Sequence, residues 1–229
     1  MKKNKEFEAW ARAYKRAGEG EALLWPSESL VRCLKGSYIP GLNKNYPGKK
    51  VLEVSAGNGN NLIFMHSLGL SLSGTEVTPA ICKLTAKRLA GLGIETDLRA
   101  GTNRKLPFKT GSFDYLVSWF VIHYETNEAD MRSAIAEYAR VLKPGGRVFV
   151  TTTGPDHFIL KDAETLGNHR YRIQRKGDMR RGTVHFCFDA PNYARQFFGK
   201  SFQDVLIGRV RDEMFTDTLD WFLVTGIKA

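Results

Sequence analysis

Cysteine is scarce in this sequence: Cys33, Cys82 and Cys187 are the three in 229 residues, with no CxxC spacing and no histidine beside them. Such a set builds neither a disulfide framework nor a zinc knuckle, and it fits a reducing, cytoplasmic compartment. No stretch approaches the ~20 apolar residues that a membrane span needs. The opening MKKNKEFEAWARAYKR is basic, but no apolar run follows it, so it does not read as a secretory signal. Internal repeats and low-complexity tracts are missing too. What is there is ordinary globular composition, 42% hydrophobic and 25% charged, which excludes the disordered class. At ~150 residues per domain, the length suits one large domain or one domain with an appendage.

The formal charge is +10, and its placement matters more than its size. Residues 1–50 carry 11 basic and 5 acidic side chains. A second knot lies within 168–182, where Arg170, Arg172, Arg175, Lys176, Arg180 and Arg181 face only Asp178. A polyanionic partner is one reading, and a solubilising surface is the other.

Phe7, Trp10, Tyr14, Leu23 and Leu24 recur at helical steps, broken by Gly18, Gly20 and Pro26; Ser27 is placed to cap a second helix through Leu34. Val51–Val54 is a short apolar run of the kind found in a buried parallel sheet. Beyond it the pattern alternates: helix 60–68, strand 70–77, helix 79–92, strand 94–100, strand 113–119, helix 128–142 and strand 147–153. This alternation predicts a Rossmann-like α/β fold, a seven-stranded and mostly parallel sheet with helices on both faces. Residues 154–189 read as irregular, 191–198 as a helix, and 202–210 with 219–227 as an antiparallel pair at the sheet edge.

Ligands of such sheets gather at the carboxyl ends of strands. The segment VLEVSAGNGN, residues 51–60, runs there from strand to helix through Gly57 and Gly59, so backbone can approach a ligand and the helix start offers unpaired N–H groups. Leu62 stands where the dinucleotide fingerprint needs its third glycine. Glu76 ends the next strand, about twenty residues on, where a carboxylate can accept from ribose hydroxyls.

These residues resemble the class I S-adenosylmethionine-dependent methyltransferases from about Val51 to Thr153. The likeness also includes Leu106-Pro107-Phe108, Ser112-Phe113-Asp114-Tyr115, and the Leu142–Arg147 stretch before the fifth strand. It implies S-adenosylmethionine as cofactor, with Glu53, Ser55, Ala56, Gly57 and Asn58 on the methionine side and Glu76 and Val77 at ribose and adenine. Thr102 or Asn103 would meet the adenine edge, and Ser118, Trp119 and Phe120 would border the sulfonium. Two departures stand out: Ser55 where the family usually has glycine, and Thr102 where it often has an acid.

Methyl transfer needs alignment above all, and a hydroxyl acceptor gains from a base. His123 suits that task by its ordinary pKa; packing at a strand end is its other reading, and Tyr124 could shape the pocket or the core. Residues 154–189 are too long for a minimal connection and form a natural acceptor wall. There His157, Arg170, Arg172, Arg175 and His185 are candidates for binding substrate, with arginine offering a paired-donor fork to a carboxylate or phosphate. His157, His169 and His185 lack the spacing of a compact metal site, so no metal is expected. Trp10, Tyr14 and Trp25, beside Arg12 and Arg16, could cover the cofactor or simply pack.

The expected organisation is a single domain: an N-terminal cover (1–48), a cofactor core (49–153), an acceptor-side insertion (154–189) and a closing helix with edge strands (190–229). The expected activity is methyl transfer to an oxygen or nitrogen of a small polar, anionic or sugar-like metabolite. An RNA methyltransferase and a non-catalytic adenosylmethionine-binding regulator are the alternatives. A nucleic-acid partner is less favoured, because no basic stripe with interleaved aromatics appears. Nothing in the pattern defines an oligomer.

Overall fold

The computed structural model describes residues 24–229; the helix expected around Phe7, Trp10 and Tyr14 lies outside the described residues. The main sheet has seven strands in the order β3-β2-β1-β4-β5-β10-β9, the expected Rossmann-like α/β arrangement. Its chain segments group into two compact units, the first ending at Thr102 and the second running from Asn103 to Ala229.

In the first unit, β1 (Lys50–Val54), β2 (Ser71–Glu76) and β3 (Asp97–Ala100) pair in parallel. Val51, Leu52 and Val54 are all buried, as befits a strand covered on both faces. Helix α1 (Glu28–Lys35) follows Ser27, whose side chain does not cap it. The Ser27 N–H instead donates to Asn61 Oδ1. Helix α2 (Asn60–Ser67) starts after Gly59. Helix α3 (Pro79–Ala90) begins with Thr78 Oγ1 accepting from Ile81 N–H at 3.3 Å and with proline in the first turn, both standard means of satisfying a helix start.

In the second unit, β4 (Phe113–Ser118) pairs in parallel with β5 (Leu142–Thr153), and β10 (Asp217–Lys228) runs antiparallel to both β5 and the edge strand β9 (Phe202–Met214). Helix α4 (Glu128–Val141) starts at Asn127, which accepts from Asp130 N–H at 2.9 Å, and buries Met131, Ala134, Ile135 and Tyr138 at helical spacing. Helix α5 (Pro191–Phe198) spans the expected residues. Among the described residues no helix is long and apolar enough to cross a membrane.

Two expectations change. Residues 154–189 are not irregular: β6 (Glu164–Gly167), β7 (Arg170–Arg172) and β8 (Val184–Phe186) form a separate antiparallel sheet. Strands this short, with charged side chains, carry no alternation to read. The closing strands are also longer than expected, meeting across Phe215-Thr216 with Met214 opposite Asp217.

Inside the second unit, the Tyr138 hydroxyl donates to Asn103 Oδ1 at 2.7 Å and lies 2.9 Å from Ser118 Oγ, while Asn103 Nδ2 donates to Glu125 Oε1 at 3.0 Å. Tyr138→Phe removes the link and leaves buried Asn103 Oδ1 without its donor. The expected cost is about 1–3 kcal/mol, read as a lower urea midpoint at unchanged slope; an unchanged midpoint would show the network to be energetically idle.

Candidate functional site

The loop after β1 is held from beneath and from the side. Glu76, at the carboxyl end of β2, accepts from Gly57 N–H through Oε1 at 2.7 Å and from Val77 N–H through Oε2 at 3.1 Å. Thr85 Oγ1 on α3 donates to Gly57 O at 2.5 Å, and Arg88 donates to Asn58 O and to Asn60 Oδ1. Gly57 itself has φ +57°, a conformation glycine adopts without steric cost. Ser55 takes the same left-handed region at φ +55°, which is strained for a residue with a Cβ. The predicted departure from glycine at this position is therefore a conformational one.

Two buried carboxyl groups face different fates here. Glu53 Oε1 accepts from Asn61 Nδ2 at 2.8 Å, while Oε2 has no partner among the described residues. Burial pushes Glu53 up to about 8, against the Asn61 hydrogen bond, so the group is largely protonated at neutral pH. Glu76 is also raised by burial, with its two backbone donors pulling the other way. Ala56 is buried, Asn58 and Val77 are half-buried, and Thr102 is exposed at the end of this unit.

In the second unit the residues expected at the end of β4 divide. Ser118 is fully buried against Tyr138, and Trp119 is buried as well. Phe120 has φ +60°, donates its N–H to Thr151 Oγ1 at 2.6 Å, and sets its ring 4.4 Å from that of Trp221. A non-glycine residue held in this region points to a constrained, often functional turn. His123 and Tyr124 follow in a 3-10 turn, Ile122–Tyr124.

Around that turn lies a cluster of three buried histidines. The His123 ring is 5.2 Å from His185 and 5.5 Å from Trp221, Tyr124 is 4.7 Å from both His123 and His185, and His157 is 4.3 Å from Trp221. His123 Nδ1, His157 Nε2 and His185 Nδ1 have no hydrogen-bond partner among the described residues. Burial, then His185, His157 and Arg180, holds His123 well below the usual histidine value. Burial, then Arg180, lowers His157 to about 4 and His185 to about 3. All three imidazoles are neutral at pH 7.

The cluster unites three expected residues and excludes others. Arg172 is paired across the β6–β7 register with Glu164 at 2.6 Å, and Arg170 donates to the carbonyls of Leu166 and Gly167. The hairpin engages both side chains within itself. Arg175 forms a two-pronged bridge to Asp217 at 2.8 and 2.9 Å, and Arg180 forms one to Asp178 at 2.8 and 2.6 Å. Both ends of the Asn103 amide are bonded, to Tyr138 and to Glu125. Sequence reading passed over Asn61, Thr85, Arg88 and Trp221, all of which touch these sites through contacts distant along the chain. No local pattern marks them.

Residues 51–146 match the family described as "Methyltransferase domain". An uncharacterized protein of Mycobacterium bovis is 30% identical over 123 residues, covering 54% of this chain and 44% of that protein, so the chain spans under half of that relative's length. An uncharacterized methyltransferase of Geobacillus kaustophilus is 28% identical over 160 residues, 69% of this chain and 70% of that protein. Among solved structures, the 1,6-didemethyltoxoflavin-N1-methyltransferase of Burkholderia thailandensis, with bound 1,6-didemethyltoxoflavin and S-adenosylhomocysteine, superposes with a TM-score of 0.66 at 15% identity, covering 97% of this chain and 85% of that one. That likeness is one of fold. The matched segment, residues 51–146, carries the glycine loop and both strand-end carboxyls, and it is similar to a methyltransferase domain.

Proposed function

We propose that the protein transfers a methyl group from S-adenosylmethionine to an oxygen or nitrogen of a small polar, anionic or sugar-like metabolite in the cytoplasm. The observation that carries this reading is that each unit, taken by itself, holds buried, under-bonded groups: Glu53 Oε2 beside the β1 loop in the first, and three neutral imidazoles in the second. The loop residues fit the cofactor. Glu53 and the backbone of 55–58 would hold its methionine portion, and Glu76 would accept from its ribose hydroxyls, since each carboxylate oxygen that receives one backbone N–H retains a second lone pair. When bound, the cofactor supplies an electrophilic methyl on a sulfonium.

The chain's own contribution is orientation and proton handling. His123, neutral and dry, takes the proton that an O–H or N–H acceptor gives up, at whichever ring nitrogen lacks hydrogen, while Tyr124, Phe120 and Trp221 exclude water. The fold neighbour that holds a small heterocycle supports an acceptor of metabolite size. The self-paired arginines of 170–180 weigh against a nucleic-acid footprint, which needs cations left for phosphates. Buried, unpaired Cys33, Cys82 and Cys187 suit a reducing compartment.

Methyl-labelled S-adenosylmethionine incubated with separated small-molecule and RNA fractions should label the former; label confined to RNA would reverse the assignment, and saturable cofactor binding with no transfer to either would indicate a regulator. Glu76→Ala should weaken cofactor binding by at least tenfold in calorimetry, because it removes both the ribose acceptor and the Gly57 N–H partner; unaltered affinity would remove Glu76 from the site. His123→Gln should lower kcat by about a hundredfold or more with the cofactor Kd unchanged. Because burial lowers His123, its proton-accepting form persists below the ordinary histidine value, so kcat/KM should show no acid limb between pH 8 and 6.5. A limb centred near 6.5 would identify a different base.

A further inference from the structure

The histidine cluster can be read atom by atom, since its neighbours fix which ring nitrogens carry hydrogen. The Thr183 hydroxyl donates its single proton to Arg180 O at 2.6 Å. Its 3.1 Å contact with His185 Nε2 must therefore be a bond that Nε2–H donates, and His185 Nδ1 is left as a bare lone pair. For His157 the assignment is opposite. Ile159 N–H donates to His157 Nδ1 at 3.2 Å, so the proton of that neutral ring sits on Nε2. The cluster thus contains a buried acceptor, His185 Nδ1, and a buried donor, His157 Nε2–H, neither with a partner among the described residues. Leaving such groups unpaired is unfavourable, and a matching ligand would relieve that cost.

Charge adds a direction. Arg180 is the strongest charge acting on both His157 and His185, ahead of the Asp178 carboxylate that it grips through Nε and Nη2. Its effect on His157 is opposed by the carboxylates of Asp220, Asp217 and Asp178. Arg180 also bonds toward Tyr124 and lies 5.7 Å from the Phe158 ring. Its backbone carbonyl, accepting from both Thr183 N–H and the Thr183 hydroxyl, ties it to the turn that leads into His185. Among the described residues no group of three or more His, Cys, Asp or Glu side chains could hold a metal ion.

We propose that His157, His185 and Arg180 form the recognition site for an acceptor carrying an anionic oxygen group and, apart from it, an O–H or N–H group. The anionic oxygen accepts from His157 Nε2–H within the field of Arg180, and the O–H or N–H donates to His185 Nδ1. Arg180 thereby takes the role that the sequence pattern offered to Arg170 and Arg172. The assignment rests on the methyl-transfer reading only for the fate of the bound molecule; recognition itself needs no cofactor.

The test uses the full chain labelled with 15N at histidine, without cofactor, and follows the ring nitrogens by long-range proton–nitrogen correlation. Glycolate and 4-hydroxybenzoate serve as two-group probes, acetate and benzoate as anion-only probes, and phenol as the donor-only probe. At least one two-group probe should move His157 Nε2 and His185 Nδ1 saturably, with its one-group counterparts binding at least tenfold more weakly. Arg180→Gln should weaken the same probe at least tenfold, whereas Lys161→Gln, which removes an exposed cation of the same segment, should leave it unchanged. If Arg180→Gln unfolds the segment, as shown by dispersed loss of the histidine signals, the one-group comparison in the unaltered protein decides. No saturable shift with either two-group probe, equal binding of one-group probes, or a proton found on His185 Nδ1 would overturn the proposal. Calorimetric titration of the same sample with S-adenosylmethionine separates the two readings: cofactor binding without probe binding defeats only this one, and probe binding without cofactor binding defeats only the methyl-transfer reading.

Discussion

Desolvation of groups that would rather face water is the constraint on which both candidate sites depend. A carboxyl group, a carboxylate and three imidazoles lie under protein with fewer hydrogen bonds than they can make. Burial of a polar atom is unfavourable unless a partner compensates, and each site supplies only part of the compensation. Glu76 receives two backbone donors, whereas Glu53 receives one side-chain donor and adjusts by keeping its proton. The histidines adjust by refusing theirs. The same physical cause thus leaves the Glu53 acid protonated in one unit and three imidazole bases unprotonated in the other.

Electrostatics on the outside follows a different logic. Three arginines of the small sheet and of its β7–β8 connection are matched with carboxylates: Arg172 with Glu164, Arg175 with Asp217 and Arg180 with Asp178. Pairs as exposed as the first contribute little to stability. Their effect is to settle where side chains point, and so to decide which cation stands near the imidazoles. Formal charge counted along the chain is a poor guide to the field at a site, because a carboxylate forty residues away can cancel it.

Much of the first unit was readable in advance. Its first strand is a short, mostly apolar run, its helices start at Pro79 and after Gly59, and the loop after that strand follows from glycine spacing; these are local signals. Helices α4 and α5 were likewise marked by periodicity, and α5 also by Pro191. The small sheet was hidden because strands of three or four residues, without alternation, resemble loop. The partners of Asn103, Arg170 and Arg172 were invisible for another reason: they follow from hairpin register and from a buried tyrosine thirty-five residues on, and register is a tertiary outcome. His123, His157 and His185 could be named as candidates, but the meeting of His123 and His157 on Trp221 could not, since that residue lies on β10.

Strand β10 places Asp220 and Trp221 next to each other, and successive side chains on a strand point to opposite faces. Asp220 is fully buried, accepts from Arg209 and from Asp156 N–H, and through its own carbonyl from Gly154 N–H, which locks the start of the segment that carries His157. Trp221 turns its ring to His123, His157 and Phe120. One strand register therefore sets two things at once, the clamp and the floor. Because that pairing joins residues far apart along the chain, its loop-closure cost comes before any reward. In the order of folding, then, the loop after β1 draws on partners within about thirty residues, while the histidine cluster has to wait for β10.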